Sequence, residues 1–189
     1  MERRARAARS NLTLFTFGHG TAGEAELAAL IRESGLGLVA DVRSIPKSRA
    51  HAHVWSDRMA LWVPQLAGAA YEWRPQLGGF RKSHAGSPNV ALRHPAFRGY
   101  ADYMQTDAFL EALDALVADA AQRVTAVMCS ETLWWRCHRR LIADAAVLLR
   151  GVDVQHLMHD GKIRPHQLTA GVRVLEFGVL QYDAASKDS

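Results

Sequence analysis

The run Leu36-Gly-Leu-Val-Ala40 carries no polar side chain. A strand without a polar face has to be covered on both sides, which is the situation of a strand inside a parallel sheet flanked by helices. Short β-type runs, less uniformly apolar, also stand at 12–17, 71–73, 124–128 and 152–157. Helical patterns separate them. Thr21 and Glu24 have capping-box spacing ahead of an apolar stripe of Leu27, Leu30 and Ile31, and Gly35 suits the left-handed residue that ends a helix. Ser56 can open a helix reaching about Leu66, and 100–105 carries one or two helical turns. Thr106 caps an amphipathic stretch with Phe109, Leu110, Leu113, Leu116 and Val117 inward, and a last helix fills 134–150 with Gly151 as its stop. Strands alternating with helices predict an α/β fold: one domain, with a parallel, Rossmann-like sheet of about five strands and flanking helices. The expected domain is 12–180, between a disordered Arg-rich tail at 1–11 and a polar tail at 181–189. One more short strand is expected at 172–177, and the Gly/Pro/Ser-rich loop at 75–95 is long enough to suggest function.

The composition supports a packed core, since 49% of the 189 residues are hydrophobic and 22% are charged. Two cysteines make no disulfide framework, and no window approaches the roughly 18–20 apolar residues of a membrane span. The expectation is a soluble cytoplasmic protein with no membrane partner. A net charge of +4 suits an anionic partner, either a small molecule or a nucleic acid.

Parallel sheets bind ligands at the carboxyl ends of their strands. Here those ends carry Gly18-His19-Gly20, then Asp41 and Arg43, then Gly78, Gly79 and Arg81, then Cys129 and Glu131, then His156 and His159. The densest stretch is 128–140, which holds both cysteines with Glu131, Arg136, His138, Arg139 and Arg140. Cys137 is the better thiolate candidate, because the first turn of a helix and the flanking Arg136, His138 and Arg139 all lower a thiol pKa. Cys129 is then its partner. The C-x7-C-H spacing matches no usual zinc pattern, so no metal is expected. Trp135 stands where a C-x5-R phosphatase loop needs arginine. Walker-type and G-x-G-x-x-G loops are absent, and the sequence leaves any cofactor unknown.

The order Gly-His-Gly, Asp-Val-Arg-Ser-Ile-Pro, Leu-Gly-Gly, Tyr-x-x-Tyr-Met-x-Thr, Met-Cys-Ser-Glu, Arg-Cys-His-Arg-Arg-Leu-Ile-Ala-Asp resembles the domain-of-unknown-function family 488, over roughly 12–160. Gly20 stands where that family commonly has serine. The resemblance implies an α/β fold and supports the site more than any reaction. Two functions fit. In the first, an enzyme acts on a phosphate-bearing, nucleotide or nucleic-acid substrate. His19, Asp41, Cys129, Glu131 and Cys137 then supply the chemistry, and Arg43, Arg81, Tyr103, His138 and Arg139 bind substrate. In the second, a non-catalytic nucleic-acid-binding or regulatory module uses Arg43, Lys47, Arg49, Arg81, Lys82, Arg93 and Arg98 with Trp55 and Trp73 between them. Either could depend on a metal held by His51, His53, His156, His159 or His166.

Overall fold

Parallel pairing dominates the molecule. In the computed structural model, which describes residues 12–183, the strands β1 (Thr13–Gly18), β2 (Leu38–Asp41), β3 (Ala70–Trp73), β4 (Thr125–Cys129), β5 (Asp153–Leu157) and β6 (Ile163–Pro165) form one sheet in the order β3-β2-β4-β1-β5-β6. Every pairing is parallel except β5 with β6. The helices are α1 (Glu24–Glu33), α2 (Ser56–Trp62), α3 (Pro95–Tyr103), α4 (Asp107–Gln122) and α5 (Arg139–Arg150). The expected N-terminal tail lies outside the described residues. Most of the C-terminal tail does too, but a small antiparallel pair, β7 (Val172–Val174) and β8 (Leu180–Tyr182), brings the chain to a buried Tyr182.

The period-2 alternation of β4 shows how the layers form. Ala126 and Met128 pack with Leu27, Ile31, Met59 and Trp62 of α1 and α2 on one face. Val127 and Cys129 pack with Tyr100, Phe109, Leu113, Leu141 and Ile142 of α3, α4 and α5 on the other. So the chain leaves β1 and β2 toward one face and leaves β4, which lies between them, toward the opposite face. A strand whose exit opposes that of its neighbours opens a crevice beside its carboxyl end. In this sheet β4 has such a neighbour on both sides.

Several local expectations hold. Thr106 Oγ1 accepts from Phe109 N at 3.4 Å, and Gly35 and Gly151 take left-handed conformations (φ 63° and 66°). Others shift. Helix α1 starts two residues past the expected capping box. The chain first completes a turn closed by Ala22 N on His19 O at 3.1 Å, and Glu26 then accepts from Gly23 N at 2.7 Å. Trp55, not Ser56, precedes the first turn of α2. The turns expected at 100–105 are the end of α3, which begins at Pro95, with His94 Nδ1 accepting from Ala96 N. The last long helix begins at Arg139 rather than 134, because Trp134–Arg136 forms a separate 3₁₀ turn and Cys137 is extended (φ −120°, ψ 152°). Trp134 is held there by stacking on His156, with ring centroids 4.2 Å apart. Cys137 therefore sits just ahead of α5, not in its first turn.

Candidate functional site

Two crevices flank the end of β4. The first, about 440 Å³, lies toward β1 and is lined by His19, Gly20, Arg43, Lys47, His51 and Thr132 among others. The second, about 480 Å³, lies toward β2 and is lined by Arg43, Lys47, Gly79, Arg136, Cys137 and His138 among others. Arg43, Lys47, Ser130 and Glu131 border both.

The floor of the second crevice is the end of β4. Cys129 Sγ and Cys137 Sγ lie 3.8 and 3.7 Å from His138 Nδ1, and both cysteines are free. The imidazole is fixed by its surroundings. Its ring centroid is 5.0 Å from that of Tyr100, whose hydroxyl donates to Leu77 O at 2.8 Å. On another side it lies flush against Gly79, where a Cβ would come within 2.5 Å of Nδ1. The two thiols differ. Burial raises the Cys137 thiol, but hydrogen bonds from Cys129 and His138 and the charges of His138 and Arg139 outweigh it and hold it well below its usual range. The hydrogen bond to Cys137, together with burial, pushes Cys129 well up.

Arg139 is 1% exposed. It donates to Thr16 Oγ1 and to the carbonyls of Glu131 and Thr132, and so tethers the loop that follows β4. Among the described residues no carboxylate lies within ion-pair distance of it, and its Nε and the Nε2 of His138 are buried without partners.

Asp41 and Arg43 form a different kind of assembly. Asp41 is fully buried, and both its oxygens are engaged by Arg43 through Nε (2.9 and 3.1 Å), Nη2 (2.5 Å) and the backbone N–H (3.0 Å). The hydroxyl of Tyr71 adds a 2.6 Å bond to the same carboxylate, and Arg43 also donates to Val54 O at 2.7 Å. His19 completes the set: its Nδ1–H donates to Gly20 O at 2.9 Å, leaving Nε2 to accept from Arg43 Nη1 at 3.3 Å. Burial and then the Arg43 charge lower its pKa to about 4, so the ring is neutral at pH 7.

Arg81 and Tyr103 line neither crevice. The guanidinium stacks 3.9 Å from the Tyr103 ring, and both side chains bond to the carbonyl of Gln76. Glu131 has an exposed side chain on the strip between the crevices. Trp55 and Trp73, expected to stack on nucleic acid, donate their indole N–H to Ser48 O and Arg43 O. Lys47, read in the sequence only as part of a basic loop, lines both crevices, and the strand-end Gly79 and Arg136 beside Cys137 line the second. Sequence reasoning missed a buried chain running Asp144–His166–His156–Thr16 (2.9, 3.0 and 2.7 Å), which meets Arg139 at Thr16. Burial, with the charges of His166 and Arg139, takes His156 down to about 3. The isolated histidines at 156 and 166 were the available signal, but Thr16 and Asp144 are too distant in sequence to connect with them.

A family model described as "Domain of unknown function DUF488" matches residues 25–146, well over half of the chain. The chain belongs to the DUF488 family. The matched span contains both cysteines, His138 and the Asp41–Arg43 pair, but not Gly18-His19-Gly20 or the histidines beyond α5. DUF488 membership assigns no reaction to these residues. No curated protein and no solved structure matches the chain. Among the described residues no helix is long and apolar enough to cross a membrane.

Proposed function

We propose that the protein is an enzyme acting on a phosphate-bearing substrate, with Cys129, Cys137 and His138 as its reactive centre. One observation carries this reading: the thiol–imidazole cluster forms the floor of a crevice that exposed Lys47 and Arg136 also line. Cations at the rim hold an anion over the buried donors, and neither Lys47 nor Arg136 is bound in an ion pair among the described residues. Glu131, at the mouth, is placed to give or take a proton at the substrate. Asp41, Arg43 and His19 act as a positioning assembly beneath Lys47 rather than as acid or base.

The test uses inorganic phosphate as the probe, followed by calorimetry, together with a panel of nucleotides and phosphate esters for turnover. Saturable phosphate binding that weakens about 5- to 10-fold in Lys47→Ala and Arg136→Ala supports the reading; that loss is about 1–1.4 kcal/mol, the net size of one solvent-exposed hydrogen bond. Turnover that vanishes in Cys137→Ser makes the cluster the reactive centre. Wild-type protein that neither saturates with phosphate nor turns over any ester would overturn the proposal.

A further inference from the structure

We propose that Cys129, Cys137 and His138 bind one divalent, thiophilic metal ion of the zinc class, with its fourth coordination position open to the crevice lined by Gly79 and Arg136. The inference rests on the reactive centre proposed above and makes the sulfurs ligands rather than a free nucleophile. It runs against the expectation from sequence spacing, and geometry is the reason.

Zinc–sulfur and zinc–imidazole bonds of about 2.3 and 2.0–2.1 Å, at a tetrahedral angle, put sulfur and nitrogen about 3.6 Å apart. The two sulfur–Nδ1 separations here are 3.8 and 3.7 Å, and all three donor atoms lie within 4.8 Å of one another. A single nitrogen nearly equidistant from two sulfurs is what a shared central ion produces. A disulfide, which needs only the two sulfurs about 2.05 Å apart, gives no reason for the imidazole to face both.

The donors are soft and buried, and they converge from two parts of the frame. Cys129 ends β4, while Cys137 and His138 precede α5. The usual zinc spacings describe short knuckles that fold around the ion. Here the sheet and the helix hold the ligands apart, so a seven-residue gap carries no penalty. Three protein ligands with one open position is the arrangement of zinc sites that do chemistry, whereas structural sites are closed by a fourth. Softness selects against magnesium and calcium, which take oxygen donors.

Charge agrees. Arg139 is buried with no carboxylate at ion-pair distance among the described residues. Two thiolates and a divalent ion are together neutral, so Arg139 leaves the centre one charge positive. Such a centre favours an anion at the open position, either hydroxide or a substrate phosphate oxygen. The cationic rim of Lys47 and Arg136 points to the same class of substrate.

The experiment uses the full chain, reduced and stripped with a chelator, then titrated with cobalt(II). One equivalent should bind, giving thiolate-to-cobalt charge-transfer absorption and the intense visible bands of tetrahedral cobalt, and zinc should displace it. Cys129→Ser, Cys137→Ser and His138→Ala should each weaken binding by at least about 100-fold, since losing even an outer-shell partner costs 10- to 100-fold. X-ray absorption at the zinc edge of wild-type protein keeps the test independent of whether the variants fold, and should show two sulfur neighbours. Failure of the reduced protein to take up either metal, or a shell of only nitrogen and oxygen, overturns the inference. Inorganic phosphate separates it from the parent reading. Metal-free protein that still binds phosphate through Lys47 and Arg136 leaves the anionic site standing without the metal; a two-sulfur metal site in protein that ignores phosphate does the reverse.

Discussion

Two buried polar assemblies stand side by side at the carboxyl edge of this sheet, and they are built on opposite terms. At the end of β2, every oxygen of Asp41 is engaged, Arg43 is spread over a carboxylate, a carbonyl and an imidazole, and His19 uses both ring nitrogens. At the end of β4, two thiols crowd one imidazole nitrogen; among the described residues the other nitrogen of that ring has no partner, and Arg139 has carbonyls but no counter-charge. Buried polar groups in folded proteins are nearly always satisfied, so the exceptions point to missing ligands or to function. Both assemblies border a crevice, but the Asp41–Arg43–His19 set has its polar atoms taken up within the fold, whereas the thiol–imidazole cluster does not. Asp41 and His19, the strand-end acid and imidazole singled out in the sequence, have their polar atoms engaged by neighbouring groups.

The largest predicted effect follows from that division. Arg43→Ala leaves the buried Asp41 carboxylate with only the Tyr71 hydroxyl and the backbone N–H of residue 43, and without a counter-charge; removing one partner of a buried pair costs about 3–5 kcal/mol. Urea unfolding at pH 7 measures it. A loss below about 1 kcal/mol would mean that Arg43 is a binding residue and that the contrast between the two assemblies is false.

Acid probes the same assembly more gently. His19 titrates near 4 in the folded protein and near 6.5 when unfolded. Between those values the unfolded chain binds a proton that the folded one does not, so stability falls as pH drops through the window. The slope is about 1.4 kcal/mol per pH unit, for a total near 3 kcal/mol. His156 adds a second proton over the window from 6.5 to about 3. Denaturant unfolding at half-unit steps should show the steep limb, and His19→Gln should remove about one proton from its slope. A flat profile from pH 6.5 to 4 would count against both buried neutral rings.

The frame was more legible in the sequence than the site. Unbroken apolar runs and the glycines at 35 and 151 report local backbone needs, so the parallel sheet and the ends of α1 and α5 follow from short segments. The place of β4 between β2 and β1 does not, because strand order is set by long-range crossovers that leave no local pattern. The two crevices depend on that order. Cys137 was expected in a helical turn because Trp134 to His138 has helical composition, but the stacking of Trp134 on His156, 22 positions away, breaks the helix there. Strand β6, only three exposed residues long, carries too little hydrophobic pattern to be seen.

A mid-sized effect tests the unsaturated side. In Gly79→Ala the new methyl meets the His138 ring at 2.5 Å from Nδ1 and 2.8 Å from Cγ, so the ring has to move. Overpacking of this kind costs about 1–3 kcal/mol. It should also shift the alkylation rates of the two thiols in the direction in which His138→Ala shifts them. Unchanged rates in Gly79→Ala would mean that the imidazole does not control the sulfurs, and would remove the glycine from the site.

The smallest effect is the most telling against the first. Lys47 and Arg136 are exposed, and neither has an ion-pair partner among the described residues. Truncating such a side chain to alanine should change stability by no more than about 0.5 kcal/mol. Arg43 borders the same crevice but is buried and claimed by Asp41. If the three arginine and lysine variants lost stability equally, burial and pairing would not be sorting frame from site. If Arg43→Ala unfolds the protein readily while Lys47→Ala and Arg136→Ala leave its unfolding curve in place, the two exposed cations contribute nothing to the fold. Their charge is then available to a molecule that enters the crevice.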